Sequence, residues 1–336
     1  MTVLDPMTAP AIRWGILGPG GIARRFAQEI PAYTQSRIAA VGSRDRSRAE
    51  QFIADHLAGG EVRAYGSYAD LVADPDIDAI YVSTPHSEHH DHAILALEAG
   101  KPVLVEKAFA LSAGQAAEVF AVARRQGLFA MEAMWSRFLS HYAVARDMIA
   151  AGELGEVRFA LATHAQSLNL DPAWRMMNPA LGGGALLDLG IYPLSFFHWL
   201  LGAPDRVEAT GVLTSTGMDL RESIVCRYGE SLAVAYDDMG ASGACSAQVV
   251  GTKGRLEIPA RFYCPQDLVF TPLGGEPRVV ATQDQGGFQF EAAEAARCIA
   301  AGLLESPTMP WASTVEVLGM TDEVRHQLGV SFPGVA

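Results

Sequence analysis

Ile12-Arg13-Trp14-Gly15-Ile16-Leu17-Gly18-Pro19-Gly20-Gly21-Ile22-Ala23 is the stretch whose reading decides the fold. A short apolar run ends in glycines and opens onto a helical pattern, which is G-x-G-x-x-A in a strand-turn-helix context. Gly18 permits a tight turn, Gly20 lets a pyrophosphate approach the backbone, and small Ala23 lets the helix lie on the strand. The helix N-terminus then faces the anion. Gly18, Pro19, Gly20, Gly21 and Ile22 are therefore the expected seat of a dinucleotide, the bland alternative being a glycine turn that holds no ligand.

Working outward, residues 12 to about 132 alternate short apolar runs with helical patterns, the signature of strand-helix-strand units around a parallel sheet. Six strands are expected, at 12–17, 38–42, 62–65, 79–83, 103–106 and 128–131, several of them β-branched runs suited to burial on both faces. Beyond Met134 the pattern changes. A helix at 141–151 leads to a strand at 157–166, and further strands follow at 206–213, 223–227, 232–237, 244–250 and 256–258 with few helices between them. Strands without crossover helices imply an antiparallel sheet. The fold class expected is thus α/β: a doubly wound Rossmann domain over 1–134, then an α+β domain over 135–336 with a large, mainly antiparallel open sheet. Helices return at 288–303 and from the capping-box pattern Ser313-Thr314-Val315-Glu316 to about Leu328.

At 336 residues, with 25 basic and 38 acidic side chains giving a net charge of −13, the chain is large enough for two domains. Its acidity excludes a duplex nucleic-acid binder, which needs clustered positive charge. No uninterrupted apolar run approaches the roughly 20 residues of a membrane span, and Met1 to Ala11 lack the basic and apolar regions of a secretory leader. A soluble, cytoplasmic chain with a frayed lead-in is expected. Cys226, Cys245, Cys264 and Cys298 lie 19, 19 and 34 residues apart, the spacing of reduced structural thiols rather than of a metal or redox motif.

Ligands of open parallel sheets sit outside the carboxyl ends of the strands. About 20 residues beyond Ala23, where an acid would bind a ribose hydroxyl, the chain reads Ser43-Arg44-Asp45-Arg46-Ser47-Arg48. A hydroxyl and guanidinium groups there suit a 2′-phosphate, so NADP(H) is expected through Ser43, Arg44 and Arg48, with NAD(H) and a ribose-binding Asp45 as the alternative. The fourth strand ends in Thr84-Pro85-His86 with His89 one turn on, and the fifth in Glu106-Lys107. A lysine ending a buried strand must be paired, here with Glu106, or face a polar cleft where it polarises an alcohol or carbonyl. His86, His89, His90 and His92 point around most of one helix, and no metal site is expected from them. In Gly182-Gly183-Gly184-Ala185-Leu186-Leu187-Asp188-Leu189-Gly190-Ile191-Tyr192-Pro193, Asp188 and Tyr192 share a helix face. A phenol serves as acid or base if a cation such as Lys107 lowers its pKa; the plainer reading is a core helix with a half-buried tyrosine.

Together the glycine turn at 18–23, Thr-Pro-His-Ser-Glu-His-His at 84–90, Glu106-Lys107 and the 182–192 segment resemble the glucose-fructose oxidoreductase and inositol dehydrogenase family. The motifs VEKAF (105–109), MEAMWSRF (131–138), GGGALLDLGIYPL (182–194) and RCIAAGLLESPTMP (297–310) look most like its dimeric dihydrodiol dehydrogenase and NADP-dependent xylose dehydrogenase branch. The resemblance implies a second-domain sheet that covers the nicotinamide and joins subunits into a homodimer or homotetramer. It implies that Lys107 and Tyr192 flank the reacting carbon, that Asp188 supports them, and that Trp135, Arg137, Trp174 and Arg175 line a pocket for a sugar, cyclic polyol or dihydrodiol. Two other functions stay open: a sensor that binds the cofactor without turnover, and an enzyme that recycles a permanently bound cofactor. One departure stands out. The family has Glu-Lys-Pro where this chain has Glu106-Lys107-Ala108. Because cis peptide bonds are essentially confined to proline, a trans bond with a displaced Lys107 is expected.

Overall fold

The computed structural model describes residues 3–57, 60–281 and 284–335. In the first half, strands β1 (Arg13–Leu17), β2 (Arg37–Gly42), β3 (Arg63–Tyr65), β4 (Ala79–Val82), β5 (Val103–Glu106) and β6 (Ala130–Ala133) form one parallel sheet in the order β3-β2-β1-β4-β5-β6. Helices α1 (Gly21–Tyr33), α2 (Arg46–His56), α3 (Tyr68–Ala73), α4 (His86–Glu98) and α5 (Ala113–Gln126) make the crossovers. The glycine turn thus stands where the strand order reverses, the place such sheets bind ligands. Ala23, Phe26, Ala27 and Ile30 form the buried stripe of α1, and Phe26 stacks on Tyr81 at 3.8 Å and meets Trp14 edge-on at 5.5 Å. Burying a side chain like Phe26 is worth about 1.5–3 kcal/mol, which seats the helix over the strands it follows.

The second half contains α6 (Ser140–Ala150), β7 (Val157–Ala165), α7 (Ile191–Leu201), β8 (Arg206–Leu213), β9 (Asp219–Tyr228), β10 (Ser231–Asp238), β11 (Ala247–Gly251), β12 (Gly254–Ile258), β13 (Leu268–Pro272) and β14 (Arg278–Ala281). The strands form one sheet in the order β14-β13-β12-β11-β7-β10-β9-β8, antiparallel at every pairing except β7 with β10. β13 and β14 escape the sequence reading because they are short and are separated by the turn-forming Leu273-Gly274-Gly275-Glu276-Pro277. By composition the stretch Pro179–Leu201 is long and apolar enough to cross a membrane, but most of it is buried within the protein; α7 is a core helix.

Two C-terminal helices, α8 (Phe288–Ala300) and α9 (Trp311–Leu328), return to the first half, α8 against α1 and α9 against α5. Leu304 accepts from the Ala130 amide at 3.0 Å and the Trp311 indole donates to the Ala130 carbonyl at 2.8 Å, so the free edge of β6 is covered. The expected capping box at 313–316 is corrected. The helix begins at Trp311, whose amide is capped by the Glu305 carboxylate at 2.7 Å, while Thr314 lies inside and donates to Glu132 at 3.0 Å. The expected frayed lead-in is also corrected from residue 3 onward. A short 3-10 turn (Pro6–Thr8) is held by Arg297, which donates to Asp5 O at 2.7 Å and Thr8 Oγ1 at 3.1 Å, and Ala9 is buried. All four cysteines are free, and three of them are buried.

Candidate active site

The glycine turn is shaped for close approach by a ligand. Gly18 has φ +99°, and a Cβ there would stand 2.7 Å from Thr84 Cγ2, so a side chain is excluded on both counts. At Gly20 a Cβ would have nothing nearer than Ser83 O at 3.7 Å, and at Gly21 nothing within 4 Å. Gly20 caps α1 without a side-chain acceptor, which leaves the first-turn amides for an outside anion. Ile22 is exposed beside them. This open cradle fits a dinucleotide pyrophosphate.

At the end of β2, Ser43 is buried, its amide donating to Tyr65 O at 3.1 Å and its hydroxyl accepting from the Asp45 amide at 3.3 Å. Asp45 caps α2 through the Ser47 amide at 2.9 Å and hydroxyl at 2.7 Å, bonds that hold its carboxyl below the ordinary range. Asp45, the acid of this segment, is therefore engaged, whereas Arg44 and Arg48 are exposed beside it. Both lower the Tyr68 phenol against the larger upward push of burial.

Pro85 caps α4, and the four histidines diverge. His86 Nδ1 lies 3.0 Å from Gly182 O, and burial pushes its pKa down to about 3. His89 spans Thr84 O and Ala108 O, each at 2.8 Å, and burial pushes it down to about 4. His92 meets Thr84 Oγ1 at 3.0 Å, and His90 lies between Asp91 and Glu118. Among the described residues no three His, Cys, Asp or Glu side chains are grouped to hold a metal ion.

Beyond β5 the Lys107–Ala108 peptide is cis, which corrects the expected trans bond. The next peptide is held on both sides by buried partners: Ala108 O accepts from His89, and the Phe109 amide donates to Glu132 Oε1 at 3.2 Å. Glu106 turns inward to accept from the Tyr81 hydroxyl, and burial raises its pKa. Lys107 instead reaches across to the second half, where Nζ donates to Asp188 O at 2.8 Å and Oδ1 at 3.3 Å and lies 5.0 Å above the Tyr192 ring.

Asp188 does not sit in an ordinary helix. Residues Leu186–Gly190 form a π-turn that runs into α7, and it presents both Asp188 and Tyr192 to Lys107. Burial would raise the Asp188 carboxyl, but Lys107, then Arg175 and His86, hold it well below the usual carboxylate range. Arg175 Nη2 stands 3.2 Å and His86 Nε2 4.0 Å from Asp188 Oδ1. The Tyr192 hydroxyl accepts from the Trp135 indole at 2.9 Å. Its pKa runs opposite to the expected lowering: burial raises it well above the ordinary phenol value, Glu106 and Asp188 add to the rise, and the Trp135 bond opposes it.

The structure thus gathers Lys107, Asp188, Tyr192, Trp135, Arg175 and His86 around one point. Arg137 lies elsewhere, wholly buried against α7 with Nε 2.8 Å from Ser195 Oγ and Nη2 3.3 Å from His198 Nδ1, and burial pushes it down to about 10. Trp174 is 47% exposed on the loop before Arg175. Three residues absent from the sequence reading complete the wall: His164, Gln166 and Tyr263. Tyr263 lies 4.8 Å from the Tyr192 ring and stacks on His164 at 4.2 Å, while Gln166 donates to the Tyr263 hydroxyl at 2.9 Å. His164 and Gln166, two apart at the end of β7, carry a period-two polar signal; Tyr263, in an irregular loop, carries none.

A Rossmann half with an open glycine cradle, facing a lysine-aspartate-tyrosine cluster on a second sheet, defines a dinucleotide-dependent oxidoreductase. Residues 12–134 match the model of an oxidoreductase family with an NAD-binding Rossmann fold, and residues 142–257 match the GFO/IDH/MocA C-terminal domain. The chain is 35% identical to a D-xylose 1-dehydrogenase (NADP(+)) of Hypocrea jecorina, over 96% of this chain and 93% of that protein. It is 34% identical to the human trans-1,2-dihydrobenzene-1,2-diol dehydrogenase, over 96% and 98%. Among solved structures, an aldose-aldose oxidoreductase from Caulobacter crescentus complexed with glycerol superposes with TM-score 0.84 at 25% identity, covering 95% of this chain and 98% of that one. A 3-ketoreductase from Actinomadura kijaniata, in complex with NADP and TDP-benzene, gives 0.80 at 28%, with the same coverage. This chain belongs to the GFO/IDH/MocA oxidoreductase family, and it is an enzyme.

Proposed function

We propose that this enzyme is an NADP(H)-dependent dehydrogenase or reductase acting at a secondary alcohol carbon of a sugar, cyclic polyol or trans-dihydrodiol. The observation that carries this reading is the convergence of Lys107, Asp188 and Tyr192 from two domains. The open cradle at Gly20 and Gly21 fits the pyrophosphate, and Arg44 and Arg48 beside the occupied Asp45 suit a 2′-phosphate. Thr84, Pro85 and His86 border the nicotinamide end. The cofactor, when bound, supplies or accepts the hydride.

The protein's own part is to place the hydroxyl or carbonyl oxygen and to manage its proton. Trp135 occupies one side of the Tyr192 oxygen, so the phenol proton remains for the substrate oxygen. Burial raises the Tyr192 phenol, which suits proton donation to a nascent alkoxide and leaves a tyrosinate that solvent reprotonates; oxidation runs the other way, with Tyr192 first giving a proton to solvent and the tyrosinate then taking the substrate hydroxyl proton. Lys107, held by Asp188, places positive charge where negative charge develops. Trp174 and Arg175, exposed at the mouth, together with Tyr263 and Gln166, offer the aromatic and polar contacts that a sugar ring takes. Arg137, in the turn after β6, braces α7 through Ser195 and His198. We assign residues 1–134 to cofactor binding and 135–336 to substrate binding. A cytoplasmic homodimer or homotetramer would form through the second sheet, where Val212, Leu232 and Val279 are exposed.

The test follows nicotinamide absorbance with NADP+ and, separately, NAD+ against pentoses, hexoses, inositols and dihydrodiols. Turnover is expected with NADP+, and Tyr192→Phe is expected to lower it by about three orders of magnitude while NADPH still binds. Unchanged turnover in Tyr192→Phe removes the tyrosine from the mechanism.

A further inference from the structure

The segment that presents Asp188 and Tyr192 rests on carboxyl groups of the second sheet. At its start, Asp219 of β9 accepts from the Leu186 amide at 2.5 Å, and a Cβ at Gly184 would strike Asp219 Oδ1 at 2.2 Å. At its end, Gly190 lies against Asp237 of β10, where a Cβ would meet Oδ2 at 2.6 Å. The β9–β10 register sets Glu222 directly opposite Asp237, and the two residues are 1% and 0% exposed. None of their four carboxyl oxygens meets a donor from any other described residue, and the two groups are within hydrogen-bonding reach of each other.

The surrounding charges do not neutralise the pair. Asp219 and Asp238, on the same strands, add negative charge. Arg221 of β9 lies 3.6 Å from Asp238, which also accepts from Tyr236, and Arg325 of α9 acts on Asp219. From β7, His164 pairs with Asp237 in register, but its Nδ1 faces Leu189 O and burial pushes it down to about 4, so it is neutral near pH 7. From β8 the residue opposite Glu222 is Gly211. In the π-turn itself, Asp188 faces Lys107 and Arg175. Two ionised carboxylates side by side in a dry interior repel strongly, whereas a carboxylic acid donating to a carboxylate satisfies both. Burial first pushes both groups upward; at Glu222 Asp237 and the neighbouring carboxylates add to the rise, whereas at Asp237 the bond to Glu222 opposes burial and Asp219 and Asp238 add to it.

We infer that Glu222 and Asp237 share one proton and act as a positioning pair, seating Gly190 and so fixing the π-turn from which Asp188 and Tyr192 reach Lys107. The inference rests on the roles given above to Asp188 and Tyr192. An acid whose pKa is raised in the folded state stabilises it fully below the ordinary carboxyl value and loses that effect as pH rises through the folded value. The positioning therefore fails on the alkaline side.

Glu222→Gln and Asp237→Asn keep the shape and an N–H donor while removing the shared proton. In infrared spectra of the full-length protein at neutral pH, either substitution is expected to abolish the same single protonated-carboxyl C=O band. Retention of all such bands in both variants, or loss of a different band in each, overturns the sharing. In the pH profile, wild-type kcat is expected to fall roughly tenfold on the alkaline side with KM for NADP unmoved. Glu222→Gln is expected to flatten that limb, because its amide holds Asp237 without a proton to lose. An alkaline limb identical in the two proteins overturns the positioning role. The infrared result does not depend on turnover, so an error in the role of Tyr192 would leave it intact, and an error in the pair would leave the Tyr192→Phe result intact.

Discussion

Asp188, within the π-turn, and Asp237, packed against Gly190 at the end of that turn, are acids that burial pushes in the same direction, yet their proton affinities part. Lys107 and Arg175 stand within 3.3 Å of Asp188 and overcome its desolvation. Asp237 faces Glu222, with Asp219 and Asp238 nearby, and desolvation prevails. The difference shows that depth alone does not set charge in this molecule; the nearest partner does. It also divides the labour. The side facing the cleft keeps a charged carboxylate that holds a lysine, and the side facing the sheet keeps a shared proton that holds a backbone.

The comparison can be broken most severely at Lys107. Lys107→Met removes the main cation from Asp188 and, on the proposed mechanism, the positive charge from the reacting oxygen, and turnover is expected to fall by about two to three orders of magnitude. Steady-state kinetics beside a fluorescence titration of NADPH would check this, with cofactor affinity changing far less. On the other side of the turn, Gly190→Ala places a methyl group 2.6 Å from Asp237 Oδ2. Overpacking of this kind costs about 1–3 kcal/mol, so denaturant unfolding should show a lower midpoint, and kcat should fall more than KM rises. The mildest change sharpens the contrast. Arg175→Ala leaves Lys107 on Asp188 but removes the second cation, so the Asp188 carboxyl should rise toward its ordinary value. An acid held low in the folded state stabilises above its unfolded pKa and loses that effect as pH falls. The acid limb of kcat should therefore move to higher pH in Arg175→Ala, by a few-fold in rate at its steepest point; an unmoved limb would show that Lys107 alone sets the Asp188 charge.

Much of this was legible in the chain. The glycine turn and the expected parallel strands could be read because turns and buried strands are encoded by adjacent residues, whereas Lys107, Asp188 and Tyr192 stood together only through the family resemblance. Legibility fell where a partner lies far away. The last helix begins at Trp311 because Glu305 caps it, not at the local Ser313 signal. The sixth strand covers Ala130–Ala133 rather than 128–131, with Leu304 pairing to its first residue. Tyr263 belongs to the wall although its own neighbours carry no periodicity. The phenol of Tyr192 was expected to be lowered by Lys107, but that amine is taken by Asp188.

By itself, the sequence determined a Rossmann half with a glycine cradle, a second half built on an antiparallel sheet, and the residue types available for acid-base chemistry. These follow from glycine's access to positive φ, from β-branched runs and from period-two patterns, all of which act over a few neighbouring residues. The tertiary structure decided which charges meet: Lys107 with Asp188 across 81 residues of chain and Glu222 with Asp237 across a strand register. Coulomb energy depends on distance and burial, and neither is fixed until the two sheets and the helices between them have packed.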